Sequence, residues 1–160
     1  MIPGQLIGIY ISREATVLPQ AVPRIRAWAG RGLEGDRYAE GRGTFSKQKG
    51  ARDVTLIEIE ALEQFARDYH DPSLDGAQSR RNLLTRGVRL NDLVGCDFSV
   101  GGVPMRGLRL CEPCAHLGRL TPSKVLPGLV HRGGLYAQIL QDGEIAVGDP
   151  ITITIGAKSG

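Results

Sequence analysis

Apolar and polar positions alternate along much of this chain, with one clear change of period. Leu6-Ile7-Gly8-Ile9-Tyr10-Ile11 is apolar on both faces apart from its glycine and predicts an opening strand. Arg24-Ile25-Arg26-Ala27-Trp28 alternates and predicts a strand with one wet face. Val54 to Ile57 is a short β-branched run. Leu62, Phe65, Ala66 and Tyr69 then recur at helical spacing, with Glu60, Glu63, Arg67 and Asp68 between them. That pattern predicts an amphipathic helix over Ile59–Tyr69, packed outside the strands and stopped by Asp71-Pro72. Beyond Asn82 the strand pattern returns in Phe98-Ser99-Val100, in Met105 to Leu110 and in Ile151 to Ile155. Gly101-Gly102 and Asp142-Gly143 are hairpin turn signals. Cys114 to Leu120 predicts a further short helix.

The count is six to eight strands, one clear amphipathic helix and one or two short helices. The strand edges must be closed or covered, so the predicted fold is mainly β, a closed or partly closed β-barrel. Helices do not alternate with strands, which disfavours a doubly wound sheet. No repeat, linker or low-complexity tract divides the chain, so residues 1–160 are expected to form a single domain.

Composition sharpens this picture in three places. Aromatic residues are only 5% of the chain, so the core must be mostly aliphatic. The basic residues comprise 16 arginines against four lysines. Arginine grips phosphate and carboxylate in two-point fashion, although a GC-rich genome enriches it without functional cause. Three cysteines cannot all pair with one another, and the N-terminus lacks a leader pattern, so a reducing cytoplasm is the expected location. No apolar run approaches the roughly 20 residues that span a bilayer, so no membrane partner is expected. A net charge of +3 without a basic run or an aromatic-rich strand argues against nucleic acid.

Candidate chemistry concentrates in Cys111-Glu112-Pro113-Cys114. A thiolate is both a strong nucleophile and a soft metal ligand. As a zinc site the pair lacks a second Cys-x-x-Cys, and as a thioredoxin-like motif it lacks a βαβ setting. A pair of small buried hydrophobes is the plain alternative to a reactive thiol. Pro113 disfavours helix at Glu112, so Cys111 should end a strand while Cys114 opens the next turn, near helix amides that lower a thiol pKa. Gly35-Asp36-Arg37, Arg80-Arg81-Asn82 and His131-Arg132 are polar clusters beside glycine turns or strand starts. They suit an anionic ligand, or else plain turns and solvated charges. One pocket is expected to gather Cys114, Arg80, Asn82 and the Gly35–Arg37 turn.

Taken in order, these segments resemble the MOSC family, the domain found at the C-terminus of molybdenum cofactor sulfurases and as stand-alone bacterial proteins. Gly32-Leu33-Glu34-Gly35-Asp36-Arg37 resembles its GLEGDRH block, with Tyr38 where histidine is common. Arg52-Asp53-Val54-Thr55-Leu56-Ile57 resembles its RQVTLI block, and Arg80-Arg81-Asn82-Leu83 its R-x-N region. Pro113-Cys114 matches the family's cysteine, Gly133-Gly134 and Gly148-Asp149 its closing segments, and Cys111 matches no family position. The resemblance implies a β-barrel that binds a molybdopterin-type molybdenum cofactor or carries sulfur for it. It implies that Cys114 is the molybdenum ligand of a reductase acting on N-hydroxylated or related N-oxygenated small molecules. Gly35, Asp36, Arg37, Arg80, Arg81, Asn82, His131 and Arg132 would then surround the cofactor. A sulfur-carrier or cofactor-delivery module with a persulfide on Cys114 is the alternative, and a cofactor-free structural domain is a third. The chain shows no pyridoxal-phosphate, flavin or haem module, so a reductase would take electrons from a separate donor protein.

Overall fold

The computed structural model describes residues 4–13, 18–36, 53–70, 75–111 and 133–158. The first strand, β1 (Gly4–Ile11), carries the apolar run noted at the start of the chain. It is followed by β2 (Gln20–Ala21), β3 (Arg24–Trp28), β4 (Gly32–Leu33) and β5 (Val54–Glu58). The helix α1 (Ile59–Tyr69) separates β5 from β6 (Leu83–Arg86). A 3-10 turn at Leu90–Leu93 leads into β7 (Cys96–Val100), β8 (Val103–Leu110), β9 (Leu135–Ile139), β10 (Gly143–Ala146) and β11 (Pro150–Lys158).

Seven of these strands close a barrel in the order β11-β7-β8-β9-β5-β6-β1, and β1 pairs back onto β11. The closing contact sets Gly4 opposite Ile151 and Gln5 opposite Pro150. β5 and β6 run parallel, and α1 is the crossover that parallel neighbours require. The remaining pairs around the barrel are antiparallel, as in the β7–β8 hairpin, which turns at Gly101-Gly102 and sets Val100 opposite Val103.

Inside lie Leu6, Ile9, Leu56, Leu83, Met105, Leu135, Ala137 and Ile139, all buried. Phe98 is the one aromatic ring buried in this cluster, so the interior is aliphatic as composition requires. A second, smaller cluster lies on the outer face, where Leu62 and Phe65 of α1 cover Ile57 and Leu84. Strand residues of opposite parity therefore serve two cores, since successive side chains point to opposite faces.

Two features differ from the sequence expectation, whereas α1 spans Ile59–Tyr69 as expected. Eleven strands are described, because a separate sheet, β10-β3-β4, stands beside the barrel and β2 hangs on β1. Asp142-Gly143 is not a hairpin turn: β9 pairs with β8 and β5, whereas β10 pairs with β3. The Asp142 carboxylate instead accepts from the Ala29 amide at 2.7 Å, so this aspartate anchors the small sheet. The end of α1 is set by His70, left-handed at φ 51, whose N–H bonds to the Ala66 carbonyl. Asp71-Pro72 and the predicted Cys114–Leu120 helix lie outside the described residues.

Candidate functional site

The turn leading into β6 delivers three polar residues in succession. Ser79 organises it: its hydroxyl donates to the Gly76 carbonyl at 2.6 Å and accepts from the Arg81 amide at 3.3 Å. The Asp75 carboxylate accepts from the Gln78 amide at 2.8 Å. Arg80 is held at φ 58, a left-handed conformation that costs a non-glycine residue about 1 kcal/mol or more. The Tyr10 ring lies so close over Gly76 that a Cβ there would strike it, which ties the turn to β1. Burial, and next the Asp75 charge, push the Tyr10 phenol above its ordinary range.

Arg81 ends on backbone atoms, and Asn82 on backbone atoms and the Thr55 hydroxyl. The Asn82 side-chain oxygen accepts from the Thr55 amide at 3.0 Å and its hydroxyl at 3.1 Å, and its Nδ2 donates to the Tyr10 carbonyl at 3.1 Å. Asn82 thereby bolts β5 to β1 across the start of β6. Arg81, only 8% exposed, donates from Nε to the Gly133 carbonyl at 2.9 Å. From Nη2 it donates to the Cys111 carbonyl at 3.2 Å. Among the described residues no carboxylate pairs with this guanidinium, and the partners it has there are the two neutral carbonyls.

The β4 turn reaches the same end of β1. Gly35 takes φ +81, and the Asp36 amide closes onto the Leu33 carbonyl at 3.0 Å. The Asp36 carboxylate, 1% exposed, accepts from the Ser12 amide at 2.9 Å. Asp36 and Asn82 thus hold β1 two residues apart, at Ser12 and Tyr10. The structure brings Gly35, Asp36, Arg80, Arg81 and Asn82 into one connected frame. Residues 37–52 and 112–132 leave it at Asp36 and at Cys111. Arg37, Cys114, His131 and Arg132 lie outside the described residues.

Cys111 follows the last residue of β8, is 1% exposed, and donates its amide to the Gly134 carbonyl at 2.7 Å. Cys111 and Cys96 are both free thiols. Among the described residues no group of three or more His, Cys, Asp or Glu side chains gathers to hold a metal.

Sequence reasoning missed Ser12, Thr55 and Asp53 as parts of this frame. Asp53 is buried and accepts from the Ile139 amide at 2.8 Å. Burial pushes its carboxyl above the ordinary range, while backbone hydrogen bonds from Ile139 and Gly30 pull the other way. A charged residue leading directly into a β-branched run was the available signal. Ser12 gave none, because Asp36 takes its backbone amide, a group that every non-proline residue carries.

The MOSC domain family model matches residues 40–152. The chain belongs to the MOSC family. That family is associated with molybdenum cofactor binding. The MOSC fold is shared with the YUAD protein from Bacillus subtilis, at a TM-score of 0.79 and 16% identity over 95% of this chain and 96% of that one. It is also shared with YiiM from Geobacillus stearothermophilus, at a TM-score of 0.71 and 16% identity over 98% of this chain and 80% of that one. YiiM from Escherichia coli matches at a TM-score of 0.68 and 18% identity, over 95% of this chain and 68% of that one. No curated protein matches this MOSC chain. Among the described residues no helix is long and apolar enough to cross a membrane.

Proposed function

We propose that this protein binds the molybdenum cofactor and reduces N-hydroxylated or related N-oxygenated small molecules, with Cys114 as the molybdenum ligand. The observation that carries the reading is the buried Arg81 guanidinium, which meets only carbonyl oxygens among the described residues. A buried cation with neutral partners is costly unless an anion lies near, and a molybdopterin phosphate is such an anion. The Arg81 charge is thus of the sign that suits the group, which supports the reading.

In this reading Cys114 supplies the soft thiolate that the metal prefers. Arg37, Arg80, His131 and Arg132 supply donors to the anionic part of the cofactor. Gly35, Asp36, Arg81 and Asn82 build the frame around them. The bound metal centre supplies a two-electron couple. Reduction of an N-hydroxyl compound consumes two electrons and two protons and releases the amine and water. The electrons come from a separate donor protein.

The test is metal analysis of wild type and Cys114→Ala purified from a host that makes the cofactor, with turnover of an N-hydroxylated compound supplied with electrons. Stoichiometric molybdenum and amine production in wild type alone support the reading. A persulfide on Cys114 without molybdenum would replace it with the sulfur-carrier role.

A further inference from the structure

Cys111 and Gly133 bracket residues 112–132, and they meet again in space. The Cys111 amide donates to the Gly134 carbonyl at 2.7 Å, forming a neck where the segment leaves and rejoins the barrel. Arg81 reaches across that neck, with Nε on Gly133 and Nη2 on Cys111 at 2.9 and 3.2 Å. We propose that Arg81 is a positioning residue, whose planar fork locks Cys111, Gly133 and Gly134 together and so sets how the segment carrying Cys114 leaves the barrel. The inference rests on the reading of Cys114 as the site's ligand.

Three observations carry it. First, the Nε–Nη2 edge is one of the two guanidinium edges able to grip a phosphate with two parallel bonds, and here the two carbonyls occupy it. The hydrogen bonding of that edge is therefore spent on the chain itself, although the charge remains. Second, Arg81 is held from behind. Its amide donates to the Ser79 hydroxyl, and the adjacent Asn82 is bonded to Thr55 and Tyr10. A fork on so fixed a base gives both carbonyls a defined position relative to β1, β5 and β6. Third, Gly134 sits at φ +109, pressed against the Leu56 carbonyl so closely that no Cβ fits. The returning chain is thus fixed against β5 as well as against Arg81.

Lysine separates the fork from the charge, because it keeps the cation but offers one nitrogen in place of a planar edge. Wild type, Arg81→Lys and Arg81→Ala are to be prepared without cofactor. The readouts are amide exchange at Cys111, amide exchange at Tyr10 as an internal reference, and site-resolved alkylation of Cys114 by iodoacetamide. The Tyr10 amide bonds to the Asn82 carbonyl at 2.7 Å, beside the frame but away from the neck.

In Arg81→Lys, exchange at Cys111 should accelerate about tenfold or more, with Tyr10 within about twofold of wild type. The Cys114 alkylation rate should shift with it. If Arg81→Ala does not fold, Arg81→Lys alone decides. Cys111 exchange unchanged in Arg81→Lys, or Cys111 and Tyr10 accelerating together, would overturn the proposal. The first outcome makes Arg81 a source of charge only, and the second a general stabiliser. None of these measurements needs molybdenum. A wild type that never takes up the metal sinks the proposed function and leaves the neck assignment to be judged on exchange.

Discussion

Asn82 and Thr55 hold each other by backbone and side chain together. The Asn82 amide donates to the Thr55 carbonyl at 3.1 Å and lies 3.0 Å from its hydroxyl oxygen, while the Asn82 side-chain oxygen takes the Thr55 amide and hydroxyl. Both residues are buried. A buried polar group stripped of its partner costs roughly 1–3 kcal/mol. Asn82→Ala strands the Thr55 amide and the Tyr10 carbonyl together, so a loss of about 3 kcal/mol is expected in urea unfolding. Asn82→Asp should also destabilise, because a carboxylate accepts from Thr55 but cannot donate to Tyr10. A midpoint for Asn82→Ala equal to wild type would show that water replaces these bonds.

Gly134→Ala places a Cβ against the Leu56 carbonyl at a backbone angle that L-residues avoid. The neighbour is backbone of a central strand and cannot yield. The variant should lose more than about 2 kcal/mol or fail to accumulate folded. Gly102→Ala is the control, since nothing lies within 4 Å of its added carbon. Equal thermal midpoints for the two variants would contradict the crowding at Gly134.

Asp53 predicts a pH dependence with a definite sign. Its carboxyl is raised above 3.8 in the folded protein, chiefly by burial. The folded state therefore binds this proton more tightly than the unfolded chain. The resulting stability is present below the unfolded value and is lost as pH rises through the folded one. Asp53→Asn removes that slope. The stability of wild type minus that of Asp53→Asn should fall as pH is raised from the unfolded carboxylate value, about 3.9, towards neutrality. Parallel pH curves for the two proteins would refute the assignment.

Cys111 and Cys114 are expected to behave oppositely. With 1% of its surface exposed, the Cys111 thiol should alkylate slowly in the folded protein. Cys114→Ser should abolish cofactor binding or activity, whereas Cys111→Ser should leave most of it. Mass-resolved alkylation near neutral pH checks the order of reactivity. Faster reaction at Cys111 would return the Cys-x-x-Cys redox or metal reading to the front.

The barrel was legible because its strands bury aliphatic residues at period two and α1 at period 3.6. Leu62 and Phe65 were readable as the buried face of the helix because that face has a single partner layer. Other relationships were not readable, for physical reasons. Asp142-Gly143 has the composition of a hairpin turn, but β10 is captured by β3, more than a hundred residues earlier in the chain. The arginines of the Arg80-Arg81 pair are identical in composition, yet Arg81 is buried on two carbonyls while Arg80 is a strained turn residue. Local sequence carries no information about which distant carbonyls a guanidinium will find.

The seam between β1 and β11 has a consequence for how the molecule is made. Gly4 meets Ile151 only after β11 has been synthesised, so the start of β1 must wait with one edge bare until every other barrel strand has been made. Pairings of such long sequence separation form slowly, and a bare apolar strand invites association with other chains in the meantime. On the ribosome, the two-residue β2 reaches only the end of β1, at Tyr10 and Ile11, and β6 is the first barrel strand to become available, through the β1–β6 ladder from Gln5 to Ile9. Early capture of β1 by β6 is thus the step that shelters the nascent chain until the ring can shut.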